Sequence, residues 1–174
     1  VYSQYICGVS SPRIAVLSIG EEETKGTTLV KQAGELLRSD PRIDFVGNVE
    51  GRDLFHGACD VVVTEAFVGN VALKLIEGLS EGLFRTLLHG IEQTRPEMSG
   101  QFREAVVDLQ KRYDFNNYGG APLLGINGVC IICHGASRNV AITNAVKVAQ
   151  SFVRSKINDR ITDRLTEAGG AADE

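Results

Sequence analysis

The sequence has no basic excess: 18 Lys and Arg stand against 22 Asp and Glu, a formal net charge of −4 and a pI near 5.4. That argues against a general nucleic-acid binder, whose surface needs net positive charge. An acidic protein partner needs only a local basic patch and stays compatible. No apolar run approaches the roughly 20 residues that span a bilayer. Nor does the amino terminus carry a charged-then-apolar signal remnant. It opens on Val1 rather than Met, and residues 1–5 read as a helix tail entered mid-element, so a further upstream segment is expected.

Cysteine is also scarce, at Cys7, Cys59, Cys130 and Cys133. Cys130 and Cys133 spell CxxC, but their apolar run reads as a strand, where residues three apart point to opposite faces and cannot chelate one ion. No second CxxC or nearby His pair completes a zinc site, so no metal is expected. The cysteines are expected to be buried structural thiols in a reduced, cytoplasmic setting. Three nucleotide or hydrolase signatures are missing too. No GxGxxG follows a strand, no GxSxG elbow surrounds Ser137, and Lys25 precedes Gly26 where a P-loop needs Gly before Lys.

What is present is an ordinary globular composition over 174 residues, 43% apolar and 23% charged. That length suffices for one domain with a sizeable core. Strands are expected at 13–19, 43–49, 58–64 and 129–133. The third is apolar enough to be buried on both faces. Helices are expected from 27 or 28 to 38, at 52–57, from about 70 to 94, at 97–113 and at 139–156. A polar tail at 165–174 is expected to fray. Strands alternating with helices imply an α/β fold with a mainly parallel sheet and crossover helices. Ligands in such sheets bind at the loops leaving the strands' carboxyl ends, here 20–25, 47–52, 65–70 and 134–137.

Those loops hold the candidate residues. Lys25, beside Gly26 and Thr27, offers an amine near a helix start and is a fair phosphate site; otherwise it is a solvated loop lysine. Asn70 follows Gly69 and reads either as a helix N-cap or as a donor at the strand end. His134 and Ser137 end the last strand, where Ser137 caps the next helix or meets an anion. Gly119 and Gly120 form a tight bend that serves a turn or a close ligand approach.

Taken in order, several blocks resemble the phosphate acyltransferase (PlsX) family. They are Ser11-Pro12-Arg13, Ile19-Gly20-Glu21-Glu22 with Lys25-Gly26, Gly47-Asn48-Val49-Glu50-Gly51-Arg52-Asp53, Gly69-Asn70-Val71 with Leu73-Lys74 and Glu77-Gly78, Asn117-Tyr118-Gly119-Gly120-Ala121-Pro122-Leu123-Leu124-Gly125, and His134-Gly135 with Ser137. The resemblance covers residues 1 to about 156. It implies that residues 1–164 are the C-terminal part of a larger enzyme whose N-terminal portion, with its Gly-Gly-Asp segment, is absent here. Two blocks depart from the family pattern: Glu65-Ala66-Phe67 replaces Asp-Gly-Phe, and Ala136 replaces a serine.

The resemblance implies a three-layer α/β/α fold like isocitrate and isopropylmalate dehydrogenases, with a protruding helical pair at 83–113, and a homodimer. It implies transfer of a fatty acyl group from acyl-acyl carrier protein to inorganic phosphate for phospholipid synthesis, without cofactor. Lys25 and Asn70 are then the catalytic residues, and Gly20, Glu21, Asn48, Arg52, Gly69, Gly119, Gly120, His134 and Ser137 line the substrates. Arg85, Arg95, Arg103, Lys111 and Arg112 either dock the acidic carrier or are solvated helix charges. The helical pair would give peripheral membrane contact through a modest apolar face. The alternatives are an acyltransferase of the same fold that uses an acyl-coenzyme A, and a non-catalytic fragment that dimerises or binds a partner.

Overall fold

A computed structural model describes residues 1–113, 119–135 and 137–170, with the side chains of 111–113 and 168–170 outside that description. Asn117, Tyr118, Ala136, residues 171–174 and the side chains of Lys111 and Arg112 therefore lie outside the described residues. The chain divides into two compact units, Tyr2–Gly78 and Leu79–Glu174, the latter with Val1.

The first unit opens with α1 (Tyr2–Tyr5) and β1 (Arg13–Leu17). Thr27 then caps α2 (Thr28–Ser39), its hydroxyl accepting from the Val30 amide at 3.3 Å. After β2 (Asp44–Val49) come a 3-10 turn (Gly51–Phe55), β3 (Val61–Val63) and the start of α3 (Ala66–Thr94). The strands form one parallel sheet in the order β2-β1-β3, with Leu17 opposite Val49 and Val16 opposite Val63. Their carboxyl ends therefore lie along one edge. A bulge lets Ala15 pair with Gly47 rather than Val46, and Gly47 takes φ +100, where a side chain is strained.

Helix α2 lies on β1 and β2. Gly34 is buried where α2 meets the Phe45 ring, and a Cβ there would stand 3.6 Å from its Cζ, an ordinary contact. Ala15, Val16 and Val49 form the buried centre. The expectation that the third strand is buried on both faces fails among the described residues: β3 is an edge strand and Val63 is 37% exposed.

Arg13 ties the start of β1 to the start of β3. Its Nε donates to Asp60 Oδ2 at 3.0 Å, and its terminal nitrogens donate to Ala58 O at 3.1 Å and Gly57 O at 2.9 Å. The Arg13 amide also donates to Asp60 Oδ2 at 2.8 Å. These hydrogen bonds hold the Asp60 carboxyl below the usual carboxylate range.

The second unit contains the rest of α3, a 3-10 turn (Pro96–Met98), α4 (Ser99–Tyr113), β4 (Ala121–Pro122), β5 (Ile131–Ile132), α5 (Asn139–Arg154) and α6 (Ile157–Gly170). Val106, Ala141, Ala145, Phe152 and Ile157 are buried. Pro96 opens the turn between α3 and α4, and Arg103 pairs with Glu92 across it.

Three expectations are corrected here. The fourth strand is not parallel: β5 pairs antiparallel with β4. The link from Pro122 to Ile131 is shorter than the dozen or so residues a parallel crossover needs, so the chain returns as a hairpin. The helix expected at 139–156 forms as α5 but is not the last, since α6 follows it after Lys156, which takes φ +50. Residues 165–170 continue α6 instead of forming a loose tail.

The cysteines are also less buried than expected, since Cys7 and Cys130 are exposed and Cys59 and Cys133 half-buried, all as free thiols. The α3 stripe of Leu75, Leu79, Leu83 and Leu87 is exposed. Among the described residues, no helix is long and apolar enough to cross a membrane.

Candidate functional site

The carboxyl edge of the parallel sheet gathers most of the candidates in the first unit. Beyond β1 the chain passes through the buried Gly20 into a loop closed by a turn, in which the Lys25 amide donates to Glu22 O at 2.9 Å. A side chain at Gly20 would stand 2.9 Å from Lys25 Cγ and 2.8 Å from Glu22 Oε2, so glycine is what lets the lysine stem lie across the loop base. Gly26 is required twice over, by φ +93 and by Val30 Cγ1, which would be 2.7 Å from an added Cβ. Lys25 is exposed, and its ammonium has no hydrogen bond or ion pair among the described residues.

Two of the three glutamate carboxylates beside it pair elsewhere, and the third residue is bonded through its backbone. Glu21 Oε1 accepts from Arg52 at 3.4 Å, Glu22 O accepts from Asn48 Nδ2 at 2.9 Å, and Glu23 Oε1 pairs with Arg38 at 2.9 Å. Asn48 and Arg52 thus face the loop itself, and Arg52 also pairs with Glu50 at 3.0 Å. Arg38 carries no sequence signal that ties it to this loop, since only the fold brings it to Glu23. Around Glu23, Thr24, Lys31, Glu35, Arg38 and Asn48 lies an open cavity of about 310 Å³.

The reading of Asn70 as an N-cap is overturned. Helix α3 begins at Ala66, and the Glu65 carboxylate caps it, accepting from the Phe67 amide at 3.2 Å and the Val68 amide at 2.7 Å. The expected loop 65–70 is therefore mostly helix. Asn70 lies in the second turn, exposed, with no side-chain hydrogen bond among the described residues. Gly69 is small for a local reason: a Cβ there would be 2.8 Å from Thr64 Cγ2. Glu65 was missed because glutamate is a poor N-cap by type, and only the fold places it one residue before the helix.

Gly119, Gly120, His134 and Ser137 belong to the second unit. An added Cβ at Gly119 would be 2.3 Å from the Asn144 carbonyl carbon, and at Gly120 it would be 2.6 Å from Ile132 O. Both glycines have positive φ. They let the backbone run against α5 and β5, and Cys133 Sγ donates to Gly119 O at 3.4 Å. His134 is exposed, and its carbonyl accepts from the Ser137 amide at 2.9 Å. Ser137 does not cap α5, because Arg138 occupies the cap position with no side-chain bond. Among the described residues no cluster of His, Cys, Asp or Glu could hold a metal.

A small parallel sheet with helices before, between and after its strands makes the chain a mixed α/β protein. The model of one family, described as "Fatty acid synthesis protein", matches residues 1–160. The chain belongs to that family, and the resemblance to phosphate acyltransferases is borne out by its relatives. It is 46% identical to the phosphate acyltransferase of Geotalea uraniireducens (strain Rf4), over 96% of this chain and 49% of that protein. It is 48% identical to that of Halothermothrix orenii, over 90% and 48%, and 49% identical to that of Nitratidesulfovibrio vulgaris (strain DP4), over 91% and 46%. The chain thus spans about half the length of the relatives it matches.

Proposed function

We propose that the chain forms part of an enzyme that transfers a fatty acyl group from acyl-acyl carrier protein to inorganic phosphate. The observation that carries this reading is Lys25, its stem laid over Gly20 at the sheet's carboxyl edge and its ammonium unpaired among the described residues, while the Glu21 and Glu23 carboxylates pair with arginines.

Inorganic phosphate is already an anionic nucleophile, and a thiol with a pKa of about 8.5 leaves without a strong acid. Catalysis then rests on bringing an anion to a thioester and stabilising the oxyanion. A phosphate oxygen attacks the thioester carbonyl and forms a C–O bond. The tetrahedral oxyanion collapses, the C–S bond breaks, and the carrier leaves as a thiolate that takes a proton from water. Lys25 holds the phosphate by charge. Asn70 donates its carboxamide toward the thioester oxygen. It does so without the amides of Phe67 and Val68, since Glu65 occupies them.

The remaining parts follow the family resemblance. They are His134 and Ser137 beside the substrates, a dehydrogenase-like three-layer fold, a homodimer in the cytoplasm, carrier docking at Arg85, Arg95 and Arg103, and peripheral membrane contact at the helical pair.

The test is acyl phosphate formation by full-length enzyme, meaning this chain joined to the half its relatives carry in addition. Lys25→Ala and Asn70→Ala are each expected to lower turnover by about 10²–10³. Near wild-type turnover in both variants refutes the assignment. Running acyl-coenzyme A beside acyl-carrier protein decides the donor.

A further inference from the structure

The loop 20–26 sets a problem that the family reading leaves open. Three successive glutamates stand two to four residues from the amine that is to hold an anion. Free carboxylates that close would pair with the ammonium and repel phosphate. In the structure two of the three carboxylates, those of Glu21 and Glu23, are paired with arginines, and the third residue is held by its backbone carbonyl. Arg52 of the 3-10 turn reaches Glu21, Asn48 of β2 holds the Glu22 carbonyl, and Arg38 of α2 pairs with Glu23 at 2.9 Å. The Arg38–Glu23 pair is the better made of the two ion pairs, at 2.9 Å against 3.4 Å for Arg52–Glu21. The Arg38 guanidinium is itself anchored, 5.4 Å from the centre of the Phe45 ring. Glu23 and Lys25 meanwhile share one tight turn, in which the Lys25 amide bonds Glu22 O.

We propose that Arg38 is a positioning residue for phosphate binding: by holding Glu23 it keeps an anionic competitor off the Lys25 ammonium. The proposal rests on the reading of Lys25 as the phosphate-holding amine. Arg38 touches no substrate and acts on phosphate affinity rather than on the chemical step. Both partners are substantially exposed, so the effect is modest. Exposed pairs contribute little each, which sets the expected change at about two- to five-fold in KM for phosphate.

The experiment is steady-state kinetics of the full-length enzyme with inorganic phosphate varied at saturating acyl donor, for wild type, Arg38→Gln, Arg38→Gln with Glu23→Gln, and Lys25→Gln. Arg38→Gln is expected to raise the KM for phosphate about two- to five-fold with kcat retained. Removing Glu23 as well is expected to return KM to the wild-type value, because the carboxylate that Arg38 had held is gone. If the double variant keeps the raised KM, Arg38 meets phosphate itself and the proposal fails. If kcat falls along with KM changes and the second substitution does not rescue it, Arg38 only holds the loop's shape, and the proposal again fails. An unchanged KM in Arg38→Gln also overturns it. Lys25→Gln separates the two levels: unaltered phosphate dependence there refutes the role of Lys25, whereas a lost dependence beside an unresponsive Arg38→Gln refutes this inference alone.

Discussion

Gly119 and Gly125 separate a glycine that the backbone demands from one that only a turn demands. Both take left-handed φ, +77 and +82, so alanine at either position costs about 1–2 kcal/mol of backbone strain. They differ in surroundings. A Cβ at Gly125 meets nothing within 4 Å, whereas at Gly119 it would stand 2.3 Å from the Asn144 carbonyl carbon and 2.4 Å from the Ala145 amide nitrogen. Those atoms are backbone of α5, whose Ala145 is buried, so the helix itself must shift. Overpacking of that kind adds about 1–3 kcal/mol, for a total near 2–5 kcal/mol in Gly119→Ala. Urea unfolding of the two variants followed by circular dichroism reads the difference directly. Gly119→Ala is expected to lose clearly more stability than Gly125→Ala. Equal losses would refute the close approach of the 119–120 bend to α5. Full stability with lost activity would instead make Gly119 a substrate contact.

Two further outcomes follow from ion pairs and caps. The Asp60 carboxyl is held low chiefly by its hydrogen bonds from Arg13, so its folded pKa lies below the unfolded value of about 3.9. Its stabilisation is thus present above that unfolded value and is lost as pH falls through the lower folded one. Asp60→Asn is expected to destabilise at neutral pH, with the gap to wild type closing in acid; a pH-independent gap contradicts the linkage. Glu65→Ala removes the cap from the Phe67 and Val68 amides and is expected to cost about 0.5–2 kcal/mol, with faster hydrogen exchange at those two amides. Unchanged exchange there would show that the cap is not formed.

Much of the first unit was legible before any coordinates. The apolar runs marked β1, β2 and β3, and Thr27 marked the start of α2, because period and capping are local properties. Parallel pairing followed from alternating strands and helices. The start of α3 was not legible, because a glutamate ahead of alanine carries no cap signature, and Gly69-Asn70 looks more like a helix entrance than Glu65-Ala66 does. The antiparallel hairpin was missed because Val129–Cys133 has the apolar letters of a buried parallel strand, and only its short link to Pro122 says otherwise. At the site, Lys25 stood out by its position after a strand and before a helix. The service of Asn48 and Arg52 to the loop, and the part of Arg38, were hidden because they depend on which residues from three elements meet around Glu21, Glu22 and Glu23.

The central claim is that the amine at position 25 receives the phosphate. A crystal structure of the full-length enzyme soaked with inorganic phosphate tests it most directly. The account predicts a phosphate oxygen at about 2.7–2.9 Å from Lys25 Nζ, at the carboxyl edge of the β2-β1-β3 sheet. A phosphate bound in the catalytic cleft with that ammonium turned to solvent, or paired with Glu23, would contradict it.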